Sequence, residues 1–296
     1  MLSVLIGELL AGQRADLADV GPLRELPIGP RGAREYDALL LAGAADGPGH
    51  QGPSITMHSH CVTHPRLSAL RLPRGGRGRV DILWIEPRDA RPPPGPEECP
   101  IPTPESLFRE AFIWAARDRR SRVTLAEPTE ADSSFGSLGN LFERVASGYP
   151  GIRAERMRAD AITSTLGKGR PSHHVLVFPL GVDREEGSVI TSLLGGVELA
   201  ARGDFRPGKL PVFSAVSRSQ GSSPPSIGTL VALGLLLEYL GEMEAAELIW
   251  RGVERAFDAG VVPVELGGSS TTEEVVWWVS QQVPILRRLS GRGSGT

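Results

Sequence analysis

Continuous apolar runs alternate with helical periodicities along the chain. Leu2–Ile6, Ala38–Leu41 and Val80–Ile85 are short runs rich in Leu, Ile and Val, the pattern of strands covered on both faces. From Pro104 to about Arg120, apolar residues recur at helical spacing and basic residues crowd the end, which predicts a helix. Arg122–Ala126 and Val175–Phe178 read as further strands. Phe135–Ser147 reads as an amphipathic helix with Leu138, Leu141, Phe142 and Val145 on one stripe. Ile227–Leu240 and Glu244–Ala259 read as two helices joined by a tight turn at Gly241, and Glu274–Arg288 as a last helix. Arg88–Pro104 holds seven prolines and is neither helix nor central strand. This alternation predicts an α/β fold with an at least partly parallel sheet.

Composition narrows the chemistry. Of 32 basic residues in 296, only Lys168 and Lys209 are lysines, so any lysine-dependent mechanism has two positions to draw on. A net charge of -3 argues against a nucleic-acid binder. The longest apolar stretch, Ile227–Leu237, is too short to span a bilayer, and the first residues lack the basic start of a signal peptide. Cys61 and Cys99 are too few for a disulfide framework, which sets a cytoplasmic expectation.

Several segments then point the same way. Tyr149-Pro150, followed by Asp160 and by Val175-Leu-Val-Phe-Pro-Leu-Gly-Val-Asp183, resembles the β-decarboxylating dehydrogenases, which include isopropylmalate and isocitrate dehydrogenases. Tyr36-Asp-Ala-Leu-Leu-Leu-Ala-Gly43, Leu67-Ser-Ala-Leu-Arg71 and Val80-Asp-Ile-Leu-Trp-Ile85 look like successive motifs of that family. So do Ala111–Arg120 and Glu265-Leu-Gly-Gly-Ser-Ser-Thr-Thr272. The resemblance covers nearly the whole chain in order. It implies an isopropylmalate dehydrogenase-like α/β fold, a mixed or parallel sheet flanked by helices, in a homodimer. Residues 1–85 with 211–296 would form a first domain, on the family's cofactor side. Residues 104–210 would form a second, on its dimer and metal side, with 86–103 as a proline-rich connection.

The same resemblance implies that the family's machinery is altered. Pro128 falls where the family has its proton-transferring lysine, and the segment carrying its tyrosine has no counterpart. Arg71 matches one substrate arginine, but Cys61 and Glu86 fall on two others. Loss of even one bidentate clamp removes a strong charge-assisted contact, so dicarboxylates are disfavoured. Asp160 and Asp183 match two metal carboxylates, while Gly187 falls on the third. Mg²⁺ would be held weakly if at all; the alternative is that both aspartates are turn residues or caps. Residues 214–225 match the nucleotide loop without its Glu, His and Asp, so NAD(P) is not expected and no cofactor is assigned.

New groups stand where old ones are missing. Met57-His58-Ser-His60-Cys61-Val-Thr-His64 is the densest cluster of reactive side chains. Zinc is one reading, although the spacing matches no standard site; a polar loop with solvated imidazoles is the plainer one. Because imidazole titrates near neutrality, His60, ahead of His58 and His64, is a candidate acid or base, with Cys61 beside it. Trp84, near Glu86, offers an apolar wall.

The expected catalytic residues are therefore His60, Cys61, Arg71, Glu86 and Asp160. The expected function is cofactor-independent acid–base chemistry, of cyclase, isomerase or lyase type, on a less charged and partly apolar small molecule, in specialised metabolism. Two alternatives stand beside it: a non-catalytic partner subunit of an intact homologue, and a divergent NAD(P)-dependent oxidoreductase.

Overall fold

A computed structural model describes residues 38–41, 54–62, 80–88, 102–117, 120–128, 135–168, 175–180, 184–206, 210–216 and 226–291. Their strands are β1 (Leu39–Leu41), β2 (Ser54–Val62), β3 (Val80–Arg88), β4 (Arg122–Glu127), β5 (Arg153–Arg158), β6 (Val175–Val177), β7 (Ala200–Phe205) and β8 (Val212–Ala215). Their helices are α1 (Pro104–Arg117), α2 (Phe135–Ala146), α3 (Ala159–Gly167), α4 (Arg184–Leu193), α5 (Ser226–Leu240), α6 (Met243–Asp258) and α7 (Thr272–Gly291). The strands form one sheet in the order β1-β8-β7-β2-β3-β6-β4-β5. Its two flanks are parallel, and its centre, β8-β7-β2-β3, is antiparallel. The sheet passes unbroken through both segments expected to form domains: β7 lies between β2 and β8.

The predicted strands within the described residues are present, and β3 runs on to Arg88. Leu2–Ile6 lies outside the described residues. The stretch read as a polar loop, Met57–His64, is a correction: its first part belongs to β2, the strand at the middle of the sheet. Neither β5, β7, β8, α3 nor α4 has a run of apolar residues that marks it from sequence. β5 closes one edge with the sequence Arg-Ala-Glu-Arg-Met-Arg, and its charges discourage a further strand from pairing there.

Helices pack against the sheet. Thr103 caps α1, its Oγ1 accepting from Ser106 N at 3.2 Å. Phe108, Phe112 and Trp114 project from α1 into the core. Phe112 stacks on Tyr149 at 5.0 Å, so the tyrosine that marked the resemblance is a packing residue here. Trp114, Phe205, Phe213 and Tyr239 form a chain of ring contacts joining α1, the sheet and α5. α5 is buried on nearly every side, and α6 and α7 cover it. No helix among the described residues is long and apolar enough to cross a membrane.

The α5–α6 contact depends on a missing side chain. A methyl group at Gly234 would overlap the Trp250 ring, whereas one at Gly136 in α2 would meet nothing. Gly234→Ala should therefore cost about 1–3 kcal/mol through overpacking. Gly136→Ala should be no less stable than the parent. Thermal or urea unfolding of the two variants checks the contrast.

Candidate functional site

β2 has an antiparallel neighbour on each side, and the two registers bring polar residues together. Thr56 is opposite Glu86 on β3 and Asp204 on β7; His58 is opposite Trp84 and Arg202. Directly paired residues share a face of the sheet. The alternating positions Met57, Ile85 and Phe213 are buried in the core, and the Phe213 ring meets Tyr239 of α5. The apolar half of each strand is thus anchored, and the polar half is presented as one surface.

That surface contains two linked pairs. His58 Nε2 lies 2.9 Å from Glu86 Oε1, diagonally across the β2–β3 ladder. The His58 ring sits 4.8 Å from the Trp84 ring. Beside them Thr56 Oγ1 donates to Asp204 Oδ1 at 2.8 Å, and Arg202 Nε reaches Asp204 Oδ2 at 3.0 Å. The floor is dry, with Trp84 5% and Asp204 3% exposed. The His58 and Glu86 side chains keep 18% and 20% of their exposure. The dyad therefore meets solvent while the groups behind it are buried.

An ionised carboxylate can only accept hydrogen bonds. Against it, His58 donates from Nε2–H and leaves Nδ1 as the nitrogen that takes or gives a proton.

Of the residues expected from sequence, Glu86 and Trp84 enter this cluster. Cys61 and His60 belong to β2 by their backbones, paired with Asp81 and Ile82, but their side chains lie outside the described residues, as do Arg71 and Asp183. Asp160 stands apart. It opens α3 after β5, four places from β2 in the sheet, roughly 19 Å at normal strand spacing. Both its oxygens bond Arg158, at 3.1 and 2.7 Å, and Oδ1 also accepts from Ala161 N. The Arg158 hydrogen bonds, helped by that backbone bond, hold the carboxyl below its usual range. This is how a residue at a helix start behaves, the alternative already weighed for it. Thr56, Arg202 and Asp204 were missed altogether, and His58 was ranked behind its neighbours. The signal that could have found them is period-two alternation in Ser54–Met57 and Arg202–Phe205.

No protein-family model matches the chain. It is 31% identical over 185 residues to the 3-isopropylmalate dehydrogenase of Streptomyces griseus, which covers 58% of this chain and 50% of that protein. It is 29% identical over 182 residues to a probable tartrate dehydrogenase/decarboxylase of Bacillus subtilis, covering 58% and 50%. Its fold is similar to an isocitrate dehydrogenase from Methylococcus capsulatus, with a TM-score of 0.64, 17% identity and 95% of each chain covered. The chain is thus similar over part of its length to 3-isopropylmalate dehydrogenases, and in fold to an isocitrate dehydrogenase. It spans about half the length of the curated relatives it matches.

Among the described residues no group of three or more His, Cys, Asp and Glu side chains is placed to hold a metal ion. Asp160, engaged by Arg158, does not offer a free carboxylate. The segment aligned with the nucleotide loop leads into α5, where Ser226 N and Oγ both donate to Glu265 Oε1 at 2.8 Å. A carboxylate of the chain itself thus occupies the anion-favouring end of that helix.

The buried pair behind the dyad should dominate local stability. Asp204→Ala removes the buried carboxylate that pairs with Arg202 and should cost about 3–5 kcal/mol. Thr56→Val removes one hydrogen bond to that carboxylate and should cost less, about 1.5–3 kcal/mol. Urea denaturation of both variants measures the difference.

Proposed function

We propose that this protein is an acid–base enzyme for a small, partly apolar molecule, working without a nicotinamide nucleotide, with His58 and Glu86 as its proton-transfer pair. The 2.9 Å contact between them, beside Trp84 and open to solvent, carries the reading. His58 Nδ1 removes a proton from one position of the substrate and returns it at another, so no oxidant is consumed. Glu86 holds the imidazole through its Nε2. Trp84 packs against the His58 ring and keeps its surroundings apolar. His60 and Cys61, further along β2, are candidates for additional substrate contacts, and Arg71 for a single carboxylate. The mismatches at Pro128, Glu86 and residues 214–225 support departure from the relatives' chemistry, as does the Glu265 cap on α5. Isomerase, cyclase and lyase reactions all fit this scheme.

One observation favours a second reading. The curated relatives are dehydrogenases by name, so an NAD(P)-dependent oxidation of a 2-hydroxy acid is the competing function.

Two measurements separate the readings. Calorimetric titration with NAD and NADP to millimolar concentration should give no binding. Hydrogen–deuterium exchange into a panel of neutral and singly charged carbonyl compounds should be catalysed, and His58→Gln should lower that rate at least ~100-fold. Cofactor binding with oxidation of a 2-hydroxy acid would overturn the acid–base reading in favour of its rival.

A further inference from the structure

Toward the other end of the strands from Glu86 the described residues shape a second hollow. It lies where the end of α1, the turn into β4 and the turn into β5 meet, and its volume is about 390 Å³. Small-molecule sites run from roughly 300 to 1,000 Å³ and combine apolar walls with a few placed polar groups. Ala115, Ala116, Tyr149, Pro150 and Ile152 line this cavity. Tyr149 is braced there, because its ring stacks on Phe112. Strand register separates the cavity from the dyad. Leu83, Val175 and Val123 stand level across β3, β6 and β4, so Ser121 at the cavity is level with Asp81. Glu86 is five residues further along β3, roughly 17 Å at the usual strand rise.

Arg120 also lines the cavity, and it is only 5% exposed. Its guanidinium meets Glu238 of α5 at 3.4 Å, longer than the roughly 2.7–2.9 Å of a close charge-assisted bond. A guanidinium carries five N–H donors in a planar fork that suits carboxylates. A second carboxylate, brought by a ligand, can therefore share this cation with Glu238. The surroundings favour that charge. Arg122 and Arg153, next in sequence to the lining residues Ser121 and Ile152, both reach the one carboxylate of Glu155, so the rim is positive on balance. The C-terminal end of α1, which disfavours anions, is capped by Arg120 N donating to Ala115 O at 2.9 Å.

We propose that this cavity is a second small-molecule site, for a compact apolar acid. The apolar part lies between Ala116, Tyr149 and Ile152, and the carboxylate meets Arg120. The site takes no part in the chemistry assigned to His58 and Glu86, and it stands whether or not that chemistry is upheld.

Benzoate is the probe, titrated into the full chain and followed by amide ¹H–¹⁵N shifts. The amides of Ala116, Ser121 and Ile152 should move and saturate in the millimolar range, while that of His58 stays still. Benzamide, with the same ring and no charge, should bind at least about tenfold more weakly. Ala116→Trp, at an exposed helix position, should fill the cavity and abolish the shifts at Ser121 and Ile152. Arg120→Met combined with Glu238→Gln removes both charges together and leaves no uncompensated buried carboxylate. That double variant should lose the preference for benzoate over benzamide. Absence of saturable shifts at the cavity, shifts confined to His58 and its neighbours, or equal binding of benzamide by the parent would overturn the proposal. So would benzoate binding untouched by Ala116→Trp, or a preference for benzoate that survives in the double variant.

Discussion

The pairing of β2 with β3 on one side and β7 on the other is the constraint from which the candidate site follows. Side chains along a strand alternate between faces, so register decides which residues meet. A slip of one residue would send His58 into the core and bring Met57 to the polar surface. Burial forbids that slip: Met57 and Ile85 are fully buried on the helix-covered face. The apolar half of β2 therefore fixes the address of its polar half, and a contact between residues 28 apart in sequence becomes a built feature.

The charges behind the dyad follow the same logic of compensation. Asp204 is almost wholly buried; Thr56 donates a hydrogen bond to its Oδ1, and Arg202 lies in ion-pair contact with its Oδ2. Arg120 and Glu238 repeat the device on the other side of the fold, 3.4 Å apart and nearly inaccessible, tying the entry of β4 to α5. Such pairs add little net stability over apolar substitutes, but losing one partner is costly, so they hold a particular arrangement in place. Around His58 and Glu86 the effect is a set of buried polar neighbours beside two groups that still reach water.

How much could be read from the chain depended on where stabilisation comes from. β3 and the helices α1, α5 and α6 were legible because local pattern and burial agree: continuous Val, Ile and Leu in β3, helical spacing around Phe108 and Phe112. β2 was not, since Thr-Met-His-Ser-His-Cys is half polar and resembles a loop until its partners are known. Strand preference in such a segment is set by cross-strand packing with distant residues. Glu86 drew attention through the family resemblance, as a carboxylate where an arginine was expected. Its partner could not be singled out, because the diagonal contact to His58 depends on a register that no local motif encodes. Asp160 shows the opposite limit: a motif match in sequence carries no information about Arg158, two residues away, which binds it.

The His58–Glu86 pair is the centre of this account, and long-range ¹H–¹⁵N correlation spectroscopy of the histidine rings tests it most directly. With the imidazole neutral, the account predicts that His58 carries its proton on Nε2, with Nδ1 bare, and that Glu86→Ala shifts the Nε2 resonance and mixes the two tautomers. A His58 spectrum indifferent to Glu86→Ala, or one with the proton on Nδ1 in the parent, would contradict it.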